Sequence, residues 1–193
     1  MSRIASFLAC ALLAGCASAP LSQSTVAGYR DTTEYAGRLQ VNYQKDGKPE
    51  SLSGKFTWQQ AGTRIDVTLA SPLGTTMAKI TVTPQAATLV QSGQAPRTAP
   101  DIDRLTTEVL GWPLPVSGLR DWLQGHATGA GGKPFAASPA NNTVTTADGW
   151  KLRFVSWQDE SAAHPAPKRI DCERPATLAT EELVIRIVLD AQP

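Results

Sequence analysis

Regular alternation of apolar and polar residues over the first half of the chain is the feature that most restricts its fold. The alternation begins at Arg38, where Leu39, Val41 and Tyr43 take turns with polar neighbours. Because successive side chains of a strand point to opposite faces, this pattern predicts half-buried strands. The same alternation recurs at 55–59, 65–69, 78–82 and 88–90. Consecutive short strands joined by tight turns predict an antiparallel meander that is curved or closed like a barrel.

Two segments in the middle of the chain follow a helical period instead. The first spans 101–110, with Ile102, Leu105 and Val109 on one face and Asp101 placed to cap its start. The second has apolar residues at helical spacing and ends before Gly125; they are Val116, Leu119, Trp122 and Leu123. A further helix is predicted over 25–36, before the first strand.

Strand patterns return in the last third of the chain. A glycine-rich stretch at 127–134 predicts a flexible loop. Beyond it, Trp150, Leu152 and Phe154 alternate with polar or charged residues, and 183–189 is almost continuously apolar. The order of strands, helices and strands predicts an α+β domain whose helices cover or plug one face of the sheet.

The N-terminus has the pattern of a bacterial lipoprotein signal. Arg3 supplies a positive start, 4–13 is an apolar run, and Leu-Ala-Gly stands directly before Cys16. The run is too short for a transmembrane helix, which needs about 20 apolar residues. The alternative is an ordinary cysteine beside a generic signal peptide.

The domain organisation predicted from this pattern has three parts. A lipoprotein signal peptide occupies 1–15, and a lipidated Cys16 with a flexible tether occupies 16–24. The tether is predicted from small and polar residues with one proline. A single domain then covers 25–193.

Composition and motifs argue against several classes of function. The chain has 18 Lys and Arg against 17 Asp and Glu, so it lacks the basic surplus of a nucleic-acid-binding protein. His126 and His164 have no cysteine or carboxylate at ligand spacing, so no metal site is predicted. No nucleophile elbow, phosphate loop or dinucleotide fingerprint occurs, and neither an enzyme nor a cofactor is predicted. Cys172 is expected to be a strand residue that behaves as a small hydrophobe.

Large aromatic side chains are therefore the candidate functional surface. They lie mostly on the apolar faces of the predicted elements, and the candidates are Tyr43, Phe56, Trp58, Trp112, Trp122 and Trp150. One interpretation is a packed core. The other is that a curved sheet keeps part of this face open as a hydrophobic cavity for a ligand. The pattern leaves both interpretations open.

Five short motifs, in this order after Cys16, resemble the outer-membrane lipoprotein LolB family. They are YAGRL at 35–39, GKFTWQQ at 54–60, LASPLGTT at 69–76, GWPLP at 111–115 and LRDWLQG at 119–125. The resemblance extends to about Leu189. It implies an unclosed antiparallel β-barrel, a curved sheet with helices in its mouth. It also implies a protein that accepts lipoproteins from the periplasmic carrier LolA and inserts them into the outer membrane, holding their acyl chains in the cavity.

The same resemblance implies partners and a location. The partners would be a LolA-like carrier, acylated lipoprotein cargo and outer-membrane lipid, and the protein would be a monomer. It would be lipid-anchored to the outer membrane and face the periplasm. Ala17 fits this location, because an Asp after the lipidated cysteine marks inner-membrane retention in many lipoproteins. The alternatives are an outer-membrane lipoprotein that binds a lipid or small ligand without inserting cargo, and a structural lipoprotein with a packed core.

Leu73 is the candidate residue for membrane insertion. Pro72 and Gly74 flank it with turn chemistry, because proline presets φ and glycine accepts positive φ. From the residues alone, a tight turn whose leucine folds back onto the core is one interpretation. The resemblance implies the other, a protruding loop whose exposed leucine is needed for insertion.

Overall fold

A computed structural model describes residues 21–45, 47–110, 115–176 and 182–191. Within those ranges the chain forms twelve strands and two helices. In chain order they are β1 (Thr32–Lys45), β2 (Lys48–Ala61), β3 (Arg64–Ala70), β4 (Thr76–Val82), β5 (Ala87–Gln91), β6 (Arg97–Ala99), α1 (Ile102–Leu110), α2 (Val116–Trp122), β7 (His126–Thr128), β8 (Pro134–Ala136), β9 (Thr143–Thr145), β10 (Lys151–Trp157), β11 (Pro167–Arg174) and β12 (Leu183–Leu189). Cys16 and Trp112 lie outside the described residues.

Ten of these strands form one antiparallel sheet in the order β6-β5-β4-β3-β2-β1-β12-β11-β10-β9. The first six strands run as a meander, and β12 returns to pair with β1, which joins the two halves of the chain. Within the described residues the edge strands β6 and β9 do not pair with each other, so the curved sheet is unclosed. Strands β7 and β8 form a separate hairpin. The α+β fold predicted from the sequence is confirmed.

The alternation in the sequence places one set of side chains on the inner face of the sheet. Val41, Trp58, Val67, Ile80 and Ile185 are all buried there, and they come from five neighbouring strands. Their polar neighbours along each strand face outwards. Because the two faces differ so sharply, a shift of register by one residue would expose the whole apolar set.

Two glycines, in β1 and β2, allow the backbone of a neighbouring strand to approach closely. A Cβ atom at Gly37 would lie 2.3 Å from the Val188 carbonyl oxygen, and one at Gly54 would lie 2.5 Å from that of Ala70. A Cβ atom at either position would clash with the carbonyl oxygen, so only glycine fits. Glycine inside a strand often marks such a close approach of another backbone.

Both helices in the middle of the chain were predicted correctly. Asp101 caps α1, accepting a hydrogen bond of 2.8 Å from the Arg104 backbone N–H. Ile102 and Leu105 are buried beneath it against the β5–β6 end of the sheet. The shorter α2 lies across the inner face and buries Val116 and Trp122.

The helix predicted over 25–36 is wrong. Residues 21–30 have no regular secondary structure, and β1 begins at Thr32. The tertiary partners of this segment explain the difference, because the Val26 N–H donates to the Ala137 carbonyl and Val26 itself is buried in the core. β-Branched Thr32 and Thr33 then fit a strand better than a helix.

The glycine-rich stretch at 127–134 is only partly a loop. His126–Thr128 and Pro134–Ala136 pair as a hairpin, and the connection between them carries the glycines. Strands of three residues carry too little alternation to be predicted, which is why β6, β7, β8 and β9 were missed. No helix in the described ranges is long and apolar enough to cross a membrane.

Cys172 lies in the middle of β11 and is completely buried, as expected of a small hydrophobe. Burial raises the pKa of its thiol far above the ordinary value, and the nearby charges of Asp171 and Glu173 act in the same direction. The thiol is therefore protonated and shielded at neutral pH.

Candidate functional site

The inner face of the sheet encloses a small apolar cavity directly beneath α2. Its volume is about 40 Å³. The lining residues come from β1, β2, β3, β4, β12 and the α2 region, and they are Leu39, Val41, Phe56, Trp58, Val67, Leu69, Ile80, Val116, Leu119, Leu123, Ile185 and Ile187. Ligand pockets usually measure about 300–1,000 Å³. The interior is therefore apolar like a ligand pocket, but the α2 side chains fill most of it.

Only some of the aromatic residues predicted for the cavity line it in the structure. Phe56 and Trp58 line the cavity. Trp122 and Trp150 contact each other instead, with ring centroids 5.8 Å apart, and belong to the core outside the cavity. Tyr43 lies near the end of β1, opposite Leu183, and packs against the rim of the core.

The aliphatic residues of the α2 region were missed as cavity residues. Val116, Leu119 and Leu123 lie on the helical stripe that the sequence showed, and they face the space between the strands. The stripe predicted a buried face. It did not predict which part of the sheet that face would cover, because that depends on the tertiary path of the chain.

Trp58 has an unpaired polar atom in this interior. Its side chain is 2% exposed, and its indole Nε1–H has no hydrogen-bond partner among the described residues. A buried donor without a partner costs about 1–3 kcal/mol. The inner wall near Trp58 is thus less stable than a purely apolar surface would be.

Arg120 links α2 to the N-terminal segment and the sheet. Its Nε donates to the Tyr29 hydroxyl at 2.6 Å, and its Nη2 donates to the Gly62 carbonyl at 3.1 Å. The Gln60 side-chain amide donates to the same Tyr29 hydroxyl at 2.8 Å. This cluster fastens the outer side of α2 while Leu119 and Leu123 fill the cavity.

Leu73 lies at the tip of the β3–β4 turn and is 96% exposed. The turn is held by its own hydrogen bonds, since the Gly74 N–H donates to the Ser71 carbonyl and the Ser71 N–H donates to the Thr75 carbonyl, both at 2.8 Å. Gly74 has a φ of 94°, which favours glycine. The interpretation in which Leu73 folds back onto the core is wrong. An apolar side chain is presented to solvent on a firmly structured turn.

An open depression, here called the outer groove, lies on the convex face of the sheet beside this turn. It measures about 530 Å³, and its lining includes Arg38 of β1, Lys55 of β2, Arg186 of β12 and Pro72 of the turn. Leu73 and the outer groove therefore belong to one continuous surface.

Asp171 of β11 holds together the arginines on the same convex face. Its side chain is 5% exposed and lies 2.7 Å from Arg169, 3.3 Å from Arg153 and 3.4 Å from Arg186. Burial would raise the pKa of the Asp171 carboxyl, but hydrogen bonds and charge from Arg169, helped by Arg153 and Arg186, outweigh it and hold that pKa below its ordinary value. The carboxylate is ionised at neutral pH and is shared by three cations.

The comparison with known families decides the assignment. The family described as outer membrane lipoprotein LolB matches residues 32–191 of this chain. The chain belongs to the LolB family. The resemblance predicted from the five motifs is confirmed.

Relatives in the LolB family match over almost their whole length. Outer-membrane lipoprotein LolB of Cupriavidus taiwanensis is 40% identical, covering 94% of this chain and 91% of the relative. LolB of Ralstonia nicotianae is 39% identical, covering 95% and 92%. LolB of Chromobacterium violaceum is 32% identical, covering 93% and 92%.

Among solved structures, a LolA superfamily protein from Nitrosomonas europaea aligns with this LolB-family chain with a TM-score of 0.41. The identity is 10%, over 86% of this chain and 90% of that one.

The histidines of this LolB-family chain bind backbone carbonyls. His126 Nε2 lies 2.9 Å from the Ala27 oxygen and His164 Nδ1 lies 3.2 Å from the Thr25 oxygen, so both fasten the N-terminal segment. His126 begins β7. Within the described ranges, no group of three or more His, Cys, Asp and Glu residues could hold a metal ion.

Proposed function

We propose that this protein accepts acylated lipoproteins from a LolA-like periplasmic carrier and inserts them into the outer membrane. Membership of the LolB family supports the proposal. The observation that carries it is the position of Leu73, which is 96% exposed on a hydrogen-bonded turn. A soluble domain gains nothing in water from such a side chain, whereas burying a leucine in lipid contributes about 1.5–3 kcal/mol.

The interior is proposed to hold the acyl chains of the cargo. Transferring a sixteen-carbon chain from lipid into water would cost on the order of 10 kcal/mol, at about 0.8 kcal/mol per CH₂. Moving the chain from one apolar interior to another, and then into a bilayer, largely cancels that cost. Transfer therefore needs no catalytic step and no cofactor, and small differences in affinity set its direction.

The cavity of about 40 Å³ cannot hold such a chain as it stands. Displacing α2 would vacate the space that Val116, Leu119 and Leu123 now fill. An acyl chain would replace the apolar contacts of these side chains with contacts of the same kind. The closed form described here is accordingly proposed to be the state without cargo.

Anchoring at the membrane is proposed to come from lipidated Cys16. The chain is in contact with the domain at Ser22, whose carbonyl accepts a hydrogen bond of 3.0 Å from the Ala140 N–H. The few residues between Cys16 and Ser22 would reach about 13 Å as flexible coil. An anchor this short would keep the domain beside the outer membrane, facing the periplasm, and a monomer would be sufficient for the task.

The decisive experiment is transfer of acylated cargo from the carrier to liposomes, with Leu73→Glu compared with the parent protein. We expect the variant to take cargo from the carrier but to release it into liposomes at least tenfold more slowly. A carboxylate at this tip must be dehydrated to enter the bilayer. Met77→Glu, which alters a half-exposed apolar residue on β4, is the matched control.

Two outcomes would contradict this proposal. Release of cargo by Leu73→Glu at the parental rate would contradict a role of the Leu73 turn in insertion. Binding of acylated cargo by the parent protein without any transfer to liposomes would favour a lipid-binding lipoprotein that has no insertion activity.

A further inference from the structure

The outer groove carries a cluster of positive charges that the insertion of Leu73 does not explain. Arg38, Lys55 and Arg186 converge on it, and Pro72 closes the end next to the turn. We propose that the outer groove binds the phosphate headgroups of anionic phospholipids in the membrane that receives the cargo. The inference rests on the proposed membrane role of Leu73 and adds a lipid-headgroup site to it.

The strand register places like charges directly opposite each other. Arg38 of β1 faces Lys55 of β2, and on the other side of β1 the neighbouring strand β12 contributes Arg186, opposite Gln40. Like charges at opposing positions of an antiparallel pair are destabilising. Keeping this pair on the surface costs some stability, which a bound anion would offset.

Few acidic side chains among the described residues compensate the positive charges of the outer groove. Within the described residues, neither Arg38 nor Lys55 forms an ion pair, and Arg186 shares the single carboxylate of Asp171 with two other arginines. That carboxylate is 5% exposed, so it lies beneath the arginines rather than between them and solvent. An approaching phosphate would meet cations first.

The exposed Leu73 favours a membrane-bound anion as the ligand of the outer groove. Pro72 lines the groove and its neighbour Leu73 projects into solvent, so one approach to a bilayer would bring both to the membrane surface. Apolar insertion beside a cluster of Lys and Arg is the pattern of a membrane-surface site. A free phosphate ion or an acidic protein surface would make no use of the exposed leucine.

Binding to vesicles tests the inference without cargo or carrier. The mature chain, residues 16–193 with Cys16→Ala, would be used, so that neither the signal peptide nor a lipid anchor contributes. We expect at least tenfold tighter binding to phosphatidylcholine vesicles containing phosphatidylglycerol than to vesicles of phosphatidylcholine alone. Each basic residue near an anionic surface contributes about 1 kcal/mol, or about fivefold. Arg38→Gln with Lys55→Gln should therefore weaken binding to the anionic vesicles about 25-fold.

Lys133→Gln is the matched control, because Lys133 is also exposed but lies in the β7–β8 connection, near the β9 edge of the sheet. It should change binding less than twofold. Raising the salt concentration should weaken binding of the unsubstituted surface, which tests the electrostatic term without any change to the groove. The thermal midpoint of the double variant should equal or exceed that of its parent, since a repulsive pair is removed.

Several results would overturn the inference. Equal binding to both kinds of vesicle, or an unchanged affinity of the double variant, would exclude a headgroup site. Inorganic phosphate that binds in solution as tightly as the vesicles do would point to a free-anion site. Weaker binding of the carrier protein by the double variant, with vesicle binding unchanged, would assign the groove to a protein partner. Because Leu73→Glu is assayed with cargo, failure of the proposed insertion can be distinguished from failure of the headgroup site.

Discussion

A leucine on the concave side of the ten-stranded sheet is buried, whereas one at the edge of its convex side is almost fully exposed. On the concave side, Leu123 is 1% exposed and helps to fill the cavity beneath α2. On the convex side, Leu73 is 96% exposed at the end of the outer groove. Both leucines lie in tight turns close to a glycine. One face is thus organised for packing, and the other leaves an apolar side chain available for contacts outside the domain.

Matched substitutions of the two leucines should show the largest difference. Leu123→Ala should lower the free energy of unfolding by about 2–5 kcal/mol, because it removes buried contacts and leaves a cavity. Leu73→Ala should change it by less than about 0.5 kcal/mol, as is usual for exposed positions. Urea denaturation of both variants measures the difference. Similar losses at the two positions would show that Leu73 packs against the domain in solution.

The buried carboxylate of Asp171 on the convex face should contribute measurably to stability. Asp171→Asn should lower the free energy of unfolding at pH 7 by about 1–3 kcal/mol, since hydrogen bonds to charged groups are lost. The pKa of Asp171 is lower in the folded protein than its ordinary value. Its contribution is therefore fully present above the unfolded-state pKa of about 3.9 and is lost as the pH falls through the folded-state pKa.

Unfolding measured between pH 7 and pH 2 tests this sign. The difference between the parent and Asp171→Asn should shrink as the pH falls below about 4. Asp66→Asn is the control, because the Asp66 ion pair with Arg64 is largely exposed and such pairs contribute only about 0–1 kcal/mol. A difference at Asp171 that does not change with pH would rule out a charge-based contribution.

A smaller effect is expected where α2 is fastened to the sheet. Arg120→Met keeps an apolar stem but loses the hydrogen bonds to Tyr29 and Gly62, which should cost about 1 kcal/mol. Amide hydrogen exchange in α2 should become faster while exchange in β1 and β2 stays the same. Arg104→Met is the control, because Arg104 pairs with Glu108 within α1. Unchanged exchange in α2 would mean that the cavity side chains alone hold it in place.

Much of the fold could be predicted because local pattern and tertiary position agree. The alternation from Leu39 to Tyr43 marks the inner face of β1, and the stripe from Ile102 to Val109 marks the buried face of α1. The segment over 25–36 could not be predicted in this way. Its backbone bonds go to residues far along the chain, such as Ala137, and no local pattern reveals such a partner.

The candidate site, too, could be predicted only in part from local patterns. Phe56 and Trp58 were predicted as cavity residues and line the cavity, whereas Trp122 and Trp150 were predicted equally and pack against each other elsewhere. All four are apolar residues on buried faces, and periodicity does not distinguish a lined space from a filled one. The outer groove was not predicted at all, because its charges come from three strands, of which β12 is distant in the sequence from β1 and β2.

By itself, the sequence determined the strand pattern, the two central helices and the family motifs, and it predicts a lipoprotein signal before Cys16, because each is a local arrangement of residues. Only the tertiary structure decided that Leu73 projects outwards, that α2 plugs the cavity and that Arg38 meets Lys55. Those outcomes depend on which strands become neighbours and on how the sheet curves. Pairing and curvature are properties of the whole chain, so no short segment carries them.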